Sequence, residues 1–277
     1  MTLSDRNNIF RAGIILSFLC FLICIAASIK AIPVYALMEK EITQRSEGLL
    51  QVFAGKIFDV KLLAVHFGIL ALVLYSFLTI ILNYYFFEKT KSPEILFVVF
   101  FAASFSLEAL RLILPLGRVY DFPSLYLLAA SRVILFGRLF GVFSLFTASI
   151  YGVGYEMQRQ RYVIIIITVT SLLIAMGIPI DTQTWDSSLN MVIGYTTMFR
   201  LIDTGTFLIT AISFFIAAWS HGSRGYIFIG VGSVLVFIGR NILLNADTWA
   251  VLPIGLPLLI IGTWLICTNI HKIYLWL

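Results

Sequence analysis

The chain has 277 residues, of which 60% are hydrophobic and 12% charged, and its mean hydropathy is +1.00. A soluble domain is about 45–50% apolar and about 25% charged, so this chain carries too few charges for a fully water-exposed surface, and lipid must contact much of its exterior. The formal net charge is +5, but no basic run interleaved with aromatic residues occurs, which argues against nucleic acid as a partner.

Eight long apolar runs dominate the chain. A bilayer offers no water to backbone N–H and C=O groups, so each run must form a helix of about 20 residues. The sequence therefore predicts an all-α, polytopic bundle of eight transmembrane helices, a single integral membrane domain over residues 1–277. The runs cover residues 10–33, 62–86, 94–117, 124–150, 162–180, 191–219, 226–246 and 249–271.

The first run has a second interpretation. Arg6 and Arg11 precede it, and Ala26-Ala27-Ser28 resembles a signal-peptide cleavage site. Cleavage would leave seven helices. The apolar run is longer than a typical signal peptide, so we expect a retained helix.

Orientation follows from the positions of Lys and Arg, which favour cytoplasmic loops. The loop in the 180s and the turn at Asp247 carry neither residue, so we place them outside and both termini in the cytoplasm. Residues 38–61 carry four basic residues although they fall outside; we expect an external interfacial loop or a short amphipathic helix there. The chain has no Asn-x-Ser/Thr glycosylation acceptor, which is compatible with a bacterial cytoplasmic (inner) membrane.

Seven charged residues fall inside the predicted spans, and each costs about 2.5–3.5 kcal/mol at mid-bilayer. They must therefore face the bundle interior, and their depths place them on the outer side of the midplane. Five are positive and two negative, an excess of three positive charges. They are Glu108, Arg111, Arg132, Arg138, Arg200, Asp203 and Arg240.

Helical spacing suggests how these residues meet. Glu108 and Arg111, and likewise Arg200 and Asp203, lie three apart and can pair on one helix face. An excess of buried arginine needs an anion, nearby outer acids such as Asp121 or Asp186, or backbone carbonyls. A guanidinium grips carboxylate or phosphate bidentately. We therefore predict an outward-facing cavity that binds or translocates a small anionic molecule or a lipid headgroup, formed by these seven residues and Asn241.

Several alternatives remain open. The same charges can form a structural salt-bridge network without a ligand. The chain can also be a membrane sensor or accessory subunit that acts through a partner subunit, or an intramembrane lipid-modifying enzyme with Glu108 or Asp203 as acid or base. Gly137 and Gly141 form a GxxxG pair beside Arg138, which is typical of close helix packing.

The sequence offers little for other chemistry. No serine or cysteine lies in a nucleophile motif, and no two potential metal ligands share a motif spacing. Cys20, Cys24 and Cys267 lie inside apolar runs, where disulfides are not expected. We therefore predict no cofactor and no metal, and an enzyme is the less favoured class.

Overall fold

The computed structural model describes residues 3–43, 62–87, 92–120, 122–154 and 160–275. Helices dominate these ranges. They are α1 (Leu3–Thr43), α2 (Leu62–Phe87), α3 (Pro93–Ser104), a 3₁₀ segment (Phe105–Leu112), α4 (Ile113–Val119), α5 (Ser124–Gly152), α6 (Gln160–Gly177), α7 (Thr196–His221), α8 (Arg224–Leu244) and α9 (Leu252–Leu275).

Within the described residues, eight helical stretches are long and apolar enough to cross a bilayer, which confirms the predicted all-α bundle. α3, the 3₁₀ segment and α4 together make the third crossing. The chain is a multi-pass integral membrane protein.

Helix α5 lies at the centre of the bundle. It packs against α3 and the 3₁₀ segment on one side and against α6 and α7 on others. α8 joins α7 to α9, and α1 packs on α2. The third crossing is the most buried of the eight, so the charged residues that it carries lie inside the protein.

The third crossing is not a uniform α-helix. Residues 105–112 wind as a 3₁₀ helix, which has three residues per turn and is usually only three or four residues long. Residues three apart are eclipsed in this winding, so Glu108 and Arg111 lie directly above one another. Hydropathy alone could not predict this change of winding.

A β-hairpin replaces the predicted start of the sixth crossing. Strands β1 (Ile180–Trp185) and β2 (Met191–Ile193) pair antiparallel, and α7 begins only at Thr196, not at residue 191. The apolar residues of β2 extend the hydropathy signal without continuing the helix. Tyr195 has a positive φ of 55°, which separates strand from helix.

The first helix is longer than predicted, because α1 continues past residue 33 to Thr43, although the apolar stretch that can cross the membrane ends at Lys30. The predicted interfacial segment begins at residue 38, and residues 38–43 belong to this helix. Residues 44–61 lie outside the described residues.

Glycines bring α8 and α9 into close contact. A Cβ atom added at Gly232 would lie 2.8 Å from the Gly262 carbonyl oxygen, and one at Gly239 would lie 2.6 Å from the Leu259 nitrogen. These contacts allow the two backbones to approach, as small residues do in membrane helix pairs.

Candidate ligand-binding cavity

A cavity of about 510 Å³ lies between α5, the hairpin, α7 and α8. The charged residues in its wall come from all four elements: Arg138, Asp186, Arg200, Asp203 and Arg240. Asn190, Asn241 and Asn245 add neutral polar groups, and apolar side chains such as Leu135 and Phe199 complete the wall. The cavity thus combines apolar walls with a few convergent polar groups, as small-molecule sites do.

Glu108 lies behind the cavity and contacts two arginines, Arg138 and Arg111. Arg138 donates to both of its carboxylate oxygens, from Nε to Oε1 and from Nη2 to Oε2, each at 2.7 Å. The glutamate side chain is 3% exposed and the arginine 16%. This geometry is the bidentate fork in which guanidinium and carboxylate interact most strongly.

Glycines on α5 make this contact possible. An added Cβ at Gly137 would lie 2.8 Å from a methyl carbon of Leu107, and one at Gly141 would overlap the Ser104 hydroxyl. Because both glycines flank Arg138, α5 comes close enough to the third crossing for the fork to reach Glu108.

Arg111 lies behind the cavity and does not line it. Its Nη1 is 3.4 Å from Glu108 Oε2, a longer contact than those from Arg138, and its side chain is 1% exposed. Its Nε and Nη2 have no hydrogen-bond partner among the described residues. The predicted pair therefore forms, but Arg138 is the main partner of Glu108.

The hairpin loop contributes Asn190, a residue that sequence reasoning missed. Its side-chain oxygen accepts a hydrogen bond of 2.6 Å from Arg138 Nη2. Asp186 orders the loop by accepting from the backbone N–H groups of Ser188 and Asn190, and Leu189 is buried in the bundle. An apolar leucine within the polar run DSSLN was the signal that this loop enters the protein.

Arg240 and Asp203 form a second ion pair, between α8 and α7. Arg240 Nη1 donates to both carboxylate oxygens, at 3.0 and 2.9 Å. The guanidinium also lies over the Phe207 ring, 5.4 Å from its centroid. A longer hydrogen bond of 3.5 Å, from Nη2 to the Arg138 carbonyl, links the two ion pairs.

Arg200 lies one turn before Asp203 on α7 and also lines the cavity. The predicted Arg200–Asp203 pair is wrong, because Asp203 is engaged by Arg240. Arg200 is exposed and has neither a hydrogen bond nor an ion pair within the described part of the chain.

Arg132 is the predicted site residue that lies elsewhere. It lines a separate surface groove and donates to the carbonyl oxygens of Ala175, at 2.6 Å, and Met176, at the end of α6. Six residues at about 100° each place it about 120° around α5 from Arg138. A similar position along the predicted spans does not determine which face of a helix a residue occupies.

These positions change the charge balance. Arg111, Arg138, Arg200 and Arg240 stand against three carboxylates, those of Glu108, Asp186 and Asp203. The cluster therefore carries one excess positive charge, and the predicted excess of three is wrong. Arg132 leaves the group and Asp186 joins it.

The histidine and cysteine side chains do not add a metal centre. No group of three His, Cys, Asp or Glu side chains in the described ranges is arranged to hold a metal ion. His66, the histidine nearest this end, lies 2.6 Å from the Ser28 hydroxyl. The three cysteines are free thiols.

The chain matches no protein-family model, no curated protein and no solved structure at a significant level. Its function must therefore be argued from the cavity itself.

Proposed function

We propose that this membrane protein binds a small anionic molecule, or the anionic headgroup of a lipid, in the cavity beneath the hairpin. Arg200 carries the proposal. Its guanidinium lines the cavity, is exposed and has no partner among the described residues. A guanidinium offers a planar fork of donors that fits carboxylate and phosphate.

The other cavity arginines support this proposal in a different way. Arg138 and Arg240 are each held by a carboxylate, so they form a fixed floor rather than a free binding group. The structural network and the ligand site thus fall on different residues. The network pairs four charges in two ion pairs, and Arg200 is left without a partner among the described residues, in a cluster that carries one excess positive charge overall.

The size and remaining groups of the cavity fit a small ligand. Its volume of about 510 Å³ lies in the range of about 300–1,000 Å³ that is common for small-molecule sites. Asn241, Asn245 and Thr204 supply neutral hydrogen-bonding groups. No side chain caps the first turn of α7, whose positive end adds to the attraction for an anion.

The distribution of Lys and Arg in the loops supports an orientation with both termini inside, so that the cavity opens outward. The sequence has no Asn-x-Ser/Thr acceptor, which is compatible with a bacterial cytoplasmic membrane. A transporter would then have to separate Arg138 from Glu108 to pass a ligand inward. A sensor or accessory subunit is the second candidate, favoured by the contact between Asn190 and Arg138. That contact couples a loop in the cavity wall to the bundle interior.

The proposal is tested by comparing Arg200→Gln with Arg224→Gln in purified protein. Arg224 is also exposed, but it lies at the start of α8, outside the cavity. Binding of inorganic phosphate, citrate and glycerol 3-phosphate is measured by calorimetry. A hydrogen bond to a charged group contributes about 1.5–3 kcal/mol, so Arg200→Gln should weaken binding of the preferred anion at least tenfold.

The control variant should bind like the parent, and both variants should unfold at the parental temperature. If Arg200→Gln binds every anion as the parent does, the cavity does not hold an anion through this residue. Uptake into proteoliposomes then separates a transporter, which accumulates the anion, from a sensor, which binds it without accumulation.

A further inference from the structure

A second cavity of about 550 Å³ lies between α2 and α9, and it shares no lining residue with the cavity of the proposed anion site. It is a groove with apolar walls, formed by residues such as Leu78, Leu82 and Ile260. The exposed fractions of these three side chains are 48%, 53% and 48%, so the groove is open toward lipid. α9 packs on α8 through the glycine contacts, and hydrogen bonds from Tyr75 to Thr263 and from Cys267 to Asn83 join it to α2.

The length of the groove indicates its occupant. It extends from Tyr75 to Phe87 on α2 and from Ile260 to Lys272 on α9. Twelve residues at a rise of 1.5 Å cover about 18 Å, close to the half-thickness of about 15 Å of the hydrocarbon core. A transmembrane helix from another chain would need a face twice this long, whereas a lipid acyl chain belongs to a single leaflet.

The two ends of the groove differ in chemistry. At the mid-membrane end the Tyr75 hydroxyl donates to Thr263 Oγ1 at 3.1 Å, which joins the two helices and closes the groove. At the other end Lys272 is exposed and lines the mouth. Arg6 at this end is buried, donates to the carbonyl of Phe87 at 2.7 Å and does not line the groove, so Lys272 carries the positive charge at the mouth.

The Glu94 carboxylate at this end does not cancel the charge of Lys272 at the mouth. Glu94 is 3% exposed and accepts hydrogen bonds from Ser92 and Tyr274. Tyr85 and Phe86 are exposed near the end of α2, as aromatic side chains are at headgroup level.

We infer that the groove between α2 and α9 binds one acyl chain of an anionic phospholipid, whose headgroup lies beside Lys272. The lipid belongs to the leaflet at the C-terminal ends of α2 and α9. The charged cavity is at the opposite end, where Ser187 in the hairpin contacts Asp247 just before α9. This inference therefore does not depend on the proposed anion ligand.

The test is native mass spectrometry of delipidated protein to which dioleoyl phosphatidylglycerol or dioleoyl phosphatidylcholine is added. The parent should retain one phosphatidylglycerol molecule in preference to phosphatidylcholine. Thr268→Trp on α9 and Leu82→Trp on α2 fill the groove from opposite walls and should both lose the bound lipid. Ile261→Trp, on the exposed face of α9 outside the groove, is the matched control and should retain it.

Lys272→Gln should reduce the preference for phosphatidylglycerol about fivefold, because a lysine near an anionic membrane surface contributes about 1 kcal/mol. Unfolding temperatures identify any variant that fails to fold. Because two variants fill the groove, the test still works if one of them does not fold. Retention of the lipid by a folded filling variant would overturn the inference. So would a dimer of the parent that the filling variants dissociate, since the groove would then hold a second copy.

Discussion

Arg138 holds Glu108 through two hydrogen bonds of 2.7 Å that connect α5 to the 3₁₀ segment. Asn190 from the hairpin accepts a third hydrogen bond from the same guanidinium, at 2.6 Å. One arginine therefore joins three parts of the chain that are far apart in sequence. This network should govern stability, whereas the cavity should govern binding.

Glu108→Gln should lower the free energy of unfolding by about 3–5 kcal/mol, because it leaves the buried Arg111 and the partly buried Arg138 without their carboxylate. The measurement is unfolding in mixed micelles. Arg138→Gln is made alone and in combination with Glu108→Gln. The double variant should lose less than the sum of the two single losses, and strict additivity would show that the residues do not interact.

Gly141→Ala should destabilise the protein by about 1–3 kcal/mol, because the new methyl group overlaps the Ser104 side chain. Gly205→Ala is the matched control. Gly205 is also inside a transmembrane helix, but an added Cβ there meets no atom within 4 Å. Equal unfolding temperatures for the two variants would refute close packing of α5 on the third crossing.

Asn190→Ala should release the hairpin from the bundle, because it removes a short hydrogen bond to a charged group worth about 1.5–3 kcal/mol. Hydrogen exchange of residues 180–193 should accelerate. Ser187→Ala serves as the control in the same hairpin, since its bond to Asp247 is exposed and longer, at 3.2 Å. Unchanged exchange in Asn190→Ala would mean that other contacts, such as burial of Leu189, hold the loop.

Arg132→Gln should change stability and not anion binding, whereas Arg200→Gln should change anion binding and not stability. Arg132 donates to the last carbonyls of α6, so its loss should reduce stability by about 1–3 kcal/mol and leave anion binding unchanged. Arg200→Gln should weaken binding and leave the unfolding temperature unchanged. Thermal unfolding and calorimetry on both proteins check this, and a binding defect in Arg132→Gln would contradict its assignment to a separate groove.

The number of membrane crossings could be read from the sequence because a 20-residue apolar run has few structures open to it in lipid. The meeting of Glu108, Arg138, Asp203 and Arg240 could also be anticipated, since buried charges seek partners. Which acid meets which arginine could not. Sequence spacing favours partners on one helix, whereas Glu108 and Asp203 each take their main arginine partner from another helix.

Two further differences have physical causes. Hydropathy treats Met191–Ile193 like the helix that follows, although a left-handed Tyr195 separates them. Whether the loop in the 180s lies at the surface or enters the bundle depends on tertiary contacts, which the sequence does not show. Polar loops usually remain at the surface, whereas this one enters the bundle through the hydrogen bond between Asn190 and Arg138 and the burial of Leu189.

The 3₁₀ winding of residues 105–112 also changes the rotation and height of the residues that follow in the third crossing. Each 3₁₀ residue advances about 120° and 2.0 Å, against about 100° and 1.5 Å in an α-helix. With α-helical winding from Ser104 onward, Glu108 would lie about 80° farther back around the axis, turned away from Arg138. Over all eight residues the shift would reach about 160° in phase and 4 Å in length. The azimuth of Ile113–Val119 is thus set by the same overwound stretch that aims the carboxylate at its arginine.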